Sequence, residues 1–288
     1  MEVFVELKGL AQLTLFKRQA FGVLIAVILI AVTMAGYLDK SRHSLVHPFL
    51  IYYGWIPKNP EHLAQLRGKM SGYSIIVLGS GDERQSSGDL MPTRRLVSSM
   101  PHTIFYGYVD IGVTGNQPDH QLGYVERALV AWHHIGARGV LLDCAGPDYG
   151  VSPMRLQKIV ALAHRGHLKV LVNSWNPSAV LEAGLRAGDA WLAENWVIAA
   201  GKPINAAVQG ENVAALPELR RHHIAIWMTA TDSTVPSAAW VTRWAPKTAS
   251  LLAGSYLAVS GSQYSSRSNT VIPVSWLTKA LSQRHHGL

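Results

Sequence analysis

The chain has a single cysteine, Cys144, among 288 residues. That excludes an internal disulfide and any zinc site built from several thiolates. Charge is scarce as well: 15% of residues are Asp, Glu, Lys or Arg, against 48% hydrophobic. A chain so apolar buries a large core, which excludes disorder over most of its length. The net charge is +8, yet no long basic run and no nucleic-acid-binding motif occurs, so the excess reads as a scattered basic surface. Such a surface suits anionic surroundings, but no nucleic-acid partner is expected.

Several chemistries lack their parts. Gly79-Ser80-Gly81 resembles the start of a dinucleotide turn, but Arg84 stands where its third glycine belongs. No His-x-His pair ends a strand, and the pairs His133-His134, His222-His223 and His285-His286 fall on helices or the tail. Neighbouring helical residues point in different directions, so these pairs are poor chelators. No lysine sits at an expected strand end, which argues against Schiff-base chemistry, and no Gly-x-Ser-x-Gly elbow is present. Neither a metal nor a cofactor is expected.

One long apolar run is present. Ala20 to Leu38 carries no charge, and nineteen helical residues reach roughly 28 Å, close to the hydrocarbon thickness of a bilayer. Lys17 and Arg18 precede it, which favours a cytoplasmic segment 1–19 and an uncleaved signal anchor over 20–38. Residues 39–48 then read as a linker. Cleavage after Ala35 is the alternative, and it would release the rest of the chain as a secreted protein.

From residue 49 to 288, strand-like and helix-like segments alternate. Strands are expected over 49–55, 73–79, 103–110, 138–143, 168–173, 190–194, 224–229 and 255–260. Helices are expected between them, near 61–69, 93–100, 120–135, 153–165, from 177, 213–222 and 236–244. Eight such beats in this length predict an α/β fold of the (β/α)8 barrel type. The expected architecture is one N-terminal transmembrane helix followed by that barrel.

Four of these strands run into polar residues: Gly107-Tyr-Val-Asp110, Gly139-Val-Leu-Leu-Asp143, Val170-Leu-Val-Asn173 and Trp191-Leu-Ala-Glu194. Barrel active sites are assembled from the C-terminal ends of several strands. Asp143 and Glu194 are therefore the candidate catalytic pair, since two carboxyl groups in different environments can act as acid and nucleophile or base on a glycosidic bond. Asp110, Asp148 and Asn173 are candidates to bind sugar hydroxyls, and Tyr52, Tyr108, Trp175 and Trp196 to present apolar faces to sugar rings. The alternative for the acids is capping of the next turn or helix, and for the aromatics a place in the core. Cys144, next to Asp143, is a conceivable thiol nucleophile, although a small buried hydrophobe is the commoner role for a cysteine.

In that order and spacing, the four strand ends resemble the spherulin-4-like glycosidases, which are similar to the endo-α-1,4-polygalactosaminidases of glycoside hydrolase family 114. The resemblance covers roughly Tyr52 to Glu194. It implies a barrel that cleaves exopolysaccharide containing galactosamine or N-acetylgalactosamine without a cofactor. The family's aspartate falls on Asp143, as nucleophile or base, and its glutamate on Glu194, as general acid. Spherulin-4-like members usually carry Glu after that aspartate; here Cys144 stands in its place, and Asp148 is the carboxylate the following loop offers instead. A polymer with free amines is cationic, so a domain of net positive charge needs an acidic cleft to accept it. The rival reading is a catalytically silent, membrane-anchored barrel that binds glycan or serves an envelope assembly as a structural subunit.

Overall fold

The computed structural model describes residues 46–114, 121–204, 213–252, 254–261 and 269–282. The expected membrane helix over 20–38, the segment 1–19 before it and most of the expected linker lie outside these residues. Among the described residues, no helix is long and apolar enough to cross a membrane.

The described residues form eleven strands, β1 (His47–Pro48), β2 (Leu50–Tyr52), β3 (Ile75–Leu78), β4 (Ile104–Asp110), β5 (Gly139–Asp143), β6 (Lys169–Asn173), β7 (Ala190–Ala193), β8 (Ile198–Ala199), β9 (Lys202–Pro203), β10 (Ala225–Asp232) and β11 (Tyr256–Gly261). Nine of them make one parallel sheet in the order β1-β11-β10-β7-β6-β5-β4-β3-β2, and β8 and β9 pair separately as an antiparallel hairpin. Only Phe49 separates β1 from β2. The first pairs with β11 and the second with β3, and Phe49 itself donates its N–H to Leu257 O at 3.1 Å. The two segments are halves of one strand that joins both edges of the sheet. The result is a barrel of eight strands, with His47 and Pro48 already part of it rather than of a linker.

The helices between strands are α1 (Pro60–Met70), α2 (Leu90–Ser98), α3 (Leu122–Ile135), α4 (Pro153–Arg165), α5 (Pro177–Leu181), α6 (Leu216–Arg221), α7 (Ala238–Leu252) and α8 (Val274–Ser282). Three of their starts are written locally. Asn59, Ser152 and Asn176 each accept a backbone N–H from the first turn, and each is followed by a proline at the first helical position. Neither α8 nor the β8–β9 hairpin was expected from the sequence, and α7 runs on past Pro246.

Alternation along the strands divides the core in two. Phe49, Ile51, Ile75, Val77, Tyr106, Leu141, Leu171, Ala190, Leu192, Trp227 and Ala258 form a cluster inside the barrel. Leu50, Tyr52, Ile76, Leu78, Val140, Leu142, Val170, Val172 and Trp191 face the other way and pack against the helices. Inside, Trp227 meets Phe49 edge-on at 4.9 Å and Tyr106 at 5.2 Å between ring centroids. Glycine makes room at two places. A Cβ on Gly139 would lie 2.2 Å from the Tyr106 ring, and one on Gly107 would lie 1.9 Å from the Trp132 indole of α3. The second approach seats Trp132, whose Nε1–H donates to Tyr108 O at 3.1 Å.

Candidate active site

The same alternation decides which strand-end groups reach the barrel mouth. Asp143 follows Leu141, Asn173 follows Leu171, Glu194 follows Leu192 and Tyr108 follows Tyr106, each two residues beyond an inward side chain. All four line one cavity of about 320 Å3, together with Ile51, Tyr53, Gly54, Trp55, Gly79, Ser80, Asp82 and Leu192. Three of these lining residues are acids and none is basic. Any charge this wall carries is therefore negative, whereas the chain as a whole is positive.

Asn173 ties the two candidate catalytic acids together. Its Nδ2 donates to Asp143 Oδ1 at 2.7 Å and to Glu194 Oε2 at 2.6 Å. Those oxygens are therefore at most about 5.3 Å apart, the 2.7 and 2.6 Å bonds laid end to end. Asp143 also accepts from the Tyr108 hydroxyl. Immediately after each acid the chain enters the left-handed region, at φ 53° for both Cys144 and Asn195. The turn at Asn195 is held by its N–H to Thr229 Oγ1 and by Thr231 Oγ1–H to its own Oδ1, both at 2.8 Å. Each strand is thus kinked immediately after its acid, which leaves the carboxyl at the rim.

Burial raises both carboxyl pKa values, and hydrogen bonds oppose the rise to different extents. Glu194 is pushed up to about 7 by burial and by the charge of Asp143, with the Asn173 amide pulling the other way. Asp143 is also raised by burial, but the Tyr108 hydroxyl, the Cys144 N–H and the Asn173 amide all favour its ionised form. With more donors on Asp143, the shared proton belongs on Glu194. Tyr108 itself is held far above the usual phenol range by burial and by Asp143, so it remains a donor. Burial, Asp143 and Asp110 likewise push the Cys144 thiol upward. This opposes a thiolate nucleophile.

Of the remaining expected residues, Asp110 stays near the pair, level with Asp143 in the register of β4 and β5, and the others scatter. Asp110 is partly buried at the end of β4, where its Oδ1 accepts the Gly112 N–H at 2.9 Å. Asp148 is exposed on a short 3-10 turn, Pro147–Tyr149, outside the cavity wall. Trp175 is 48% exposed on the loop after β6, also outside that wall. Tyr52 is buried in the outer core with its hydroxyl toward Trp55 O at 3.4 Å, because position 52 has the outward parity of Leu50. Trp196 is buried too, edge-on to Trp191 at 4.5 Å, because the left-handed Asn195 turns the chain back into the outer core. Tyr53, with the inward parity of Ile51, takes the lining position instead and meets Tyr108 edge-on at 5.5 Å. Trp55 and Asp82 were not singled out from the sequence. Alternation alone would have favoured Tyr53 over Tyr52, whereas Asp82 lies on a loop with no periodicity to point to it. Among the described residues, no group of three or more His, Cys, Asp or Glu side chains is arranged to hold a metal ion.

Two solved structures share this architecture. The type I 3-dehydroquinate dehydratase from Clostridium difficile, determined with covalently modified comenic acid, superposes with a TM-score of 0.52 at 12% identity, over 84% of this chain and 94% of its own. D-psicose 3-epimerase with D-tagatose, from Clostridium cellulolyticum H10, superposes with a TM-score of 0.50 at 8% identity, over 83% of this chain and 98% of its own. At such identities the likeness concerns fold: the chain is a TIM barrel. No protein-family model matches it, and no curated protein matches its sequence.

Proposed function

We propose that the barrel is a glycoside hydrolase that uses Asp143 and Glu194 to cleave exopolysaccharide containing galactosamine or N-acetylgalactosamine. The observation that carries this reading is the amide of Asn173, bonded at once to both carboxyl groups. In a glycosidase, a carboxyl separation of roughly 5 to 5.5 Å suits retention, and one of about 6.5 to 9.5 Å leaves room for the water of inversion. The bound of about 5.3 Å between the bridged oxygens supports retention. Asp143, richer in donors, attacks the anomeric carbon as the carboxylate. Glu194, with its pKa near 7, delivers its proton to the leaving oxygen and later takes one from the water that frees the glycosyl-enzyme. Asn173 and Tyr108 keep the pair in register. The ionised Asp143, on a wall without a base, favours a cationic polymer despite the chain's net charge of +8. The N-terminal apolar run would anchor the enzyme in a membrane, with the barrel outside the cytoplasm.

The test is release of reducing ends by the full chain from galactosamine and N-acetylgalactosamine polymers, beside Asp143→Asn and Glu194→Gln. Release by the parent and loss in both variants is the expected result. No release from any polymer, with binding unaltered in the variants, would favour the silent glycan-binding barrel.

A further inference from the structure

Asp82 stands apart from the catalytic pair. It lies on the loop after β3, four strands from β7 in a barrel of eight, so it faces Glu194 from across the mouth. The residue is buried, 3% exposed, and is one of those that line the cavity. Its Oδ2 has no hydrogen-bond partner among the described residues.

The surrounding loop accounts for its other acids. Glu83 accepts the Gly81 N–H at 2.9 Å and pairs with Arg84 at 3.3 Å, while Asp89 pairs with Lys58 at 3.8 Å. Among the described residues, no base pairs with Asp82. Burial, Asp89 and Glu83 together push its pKa up to about 8, against a bond from the Gly79 backbone. A buried acid with an unmade bond weakens a fold, so packing gives no reason for it here. Beside it the wall is stripped of side chains at Gly54 and Gly79, and a Cβ on Gly79 would come within 3.1 Å of Tyr53 Cα. Trp55, 72% exposed, stands on the same wall. An exposed indole and an unbonded carboxyl oxygen on residues lining one cavity offer a face for the C–H side of a sugar ring and an acceptor for one of its polar hydrogens.

We propose that Asp82 and Trp55 form a sugar-binding subsite opposite the catalytic pair, in which a ring lies against Trp55 and donates a hydrogen bond from a hydroxyl or amino group to Asp82 Oδ2. The substrate thus spans the mouth, with one end at Asp82 and the bond to be broken at Asp143 and Glu194. This deepens the hydrolase reading and rests on it for the nature of the ligand.

The experiment measures calorimetric binding of α-1,4-linked galactosamine and N-acetylgalactosamine oligomers to the full chain carrying Asp143→Asn, which holds them uncleaved. Adding Asp82→Ala or Trp55→Ala is expected to weaken binding about tenfold or more, and Asp82→Ala to leave the melting temperature no lower than the parent's. Adding Asp82→Asn identifies the donor. An ammonium group, whose charge holds the neighbouring Asp82 ionised, loses that partner, so only the galactosamine oligomer weakens, whereas a hydroxyl leaves the two oligomers equally affected. Affinities within about twofold of the parent for both Ala variants, or no binding of either oligomer to a folded parent, overturn the subsite. Binding that depends on Asp82, without reducing-end release by the unmutated chain, removes the hydrolase reading and upholds the subsite. Release with KM unchanged by Asp82→Ala does the reverse.

Discussion

Two buried aspartates, one at each end of the barrel, are treated in opposite ways. Asp189, 1% exposed just before β7, has both oxygens engaged. Oδ1 accepts the Val170 N–H at 2.9 Å, and Oδ2 accepts the Arg186 N–H at 2.8 Å and meets His164 Nε2 at 2.9 Å. Asp82, 3% exposed at the mouth, keeps one oxygen unbonded. The closed end spends its acid on holding loops and strands together, while the open end holds one in reserve for something outside the chain. Barrels generally divide stability and function between their two ends in this way. Here a single residue type makes the division measurable.

The largest expected effects are at the mouth and on rate. On the proposed hydrolase mechanism, Asp143→Asn and Glu194→Gln should each lower kcat by about 10^3-fold or more, since each would remove a group that transfers a proton or forms a bond. Glu194→Gln makes a buried acid neutral, so its melting temperature should hold or rise. A variant that lost activity and stability together would blur the contrast between the two ends. In the parent, activity should fall as pH rises through about 7, where Glu194 gives up its proton. That limb should be absent if Glu194 is not the acid.

At the closed end the expectation reverses. Asp189→Ala strands the Val170 and Arg186 N–H groups and His164, and removing one side of such a buried network costs about 3 to 5 kcal/mol. Thermal unfolding should show a drop on the order of 10 °C for a domain of this size. What activity survives in the folded fraction should keep its KM, because Asp189 is remote from the cavity wall.

These two ends were not equally legible in the sequence. The strand-to-helix alternation and the apolar runs stopped by Asp143, Asn173 and Glu194 carried the barrel and its central triplet. Period-two alternation binds each strand end to the inward residue two before it, so those three groups converge because Leu141, Leu171 and Leu192 do. Tyr52 and Trp196 failed as site residues for the same physical reason read incompletely. Being near a strand end is not enough when parity, or a left-handed residue such as Asn195, turns the side chain outward. Trp55 and Asp82 sit on loops, where position follows from turns such as Gly81, at φ +93°, that no periodic pattern encodes. The closed-end role of Asp189 was equally hidden, since its partners come from α4, β6 and its own turn.

Asp82→Asn sharpens the comparison through pH. The carboxyl is raised from 3.8 to about 8 by the fold, so the folded state binds this proton more tightly than the unfolded state does. The group imposes no penalty below pH 4, an increasing one as pH climbs toward 8, and a constant one above. The melting temperatures of parent and Asp82→Asn should therefore separate across that window, with the variant the more stable by on the order of a few kcal/mol at its upper end. Parallel curves from pH 4 to 8 would mean that Asp82 titrates normally and is bonded after all.

The smallest effect distinguishes two adjacent tyrosines. Tyr52 points into the outer core and Tyr53 into the cavity. Tyr52→Phe deletes one long hydroxyl contact to Trp55 O, at 3.4 Å. A bond so stretched contributes under about 1 kcal/mol, and the aromatic ring that fills the core is kept. Stability should barely move. Tyr53→Ala removes a ring from the cavity wall and its edge-on partner from Tyr108, so KM should rise several-fold, in keeping with the roughly 0.5 to 1.5 kcal/mol of such an aromatic pair. If Tyr52→Phe instead raised KM more than Tyr53→Ala, the inward and outward faces assigned to the first strand would be exchanged. The register that brings Asp143, Asn173 and Glu194 together would then have to be redrawn with them.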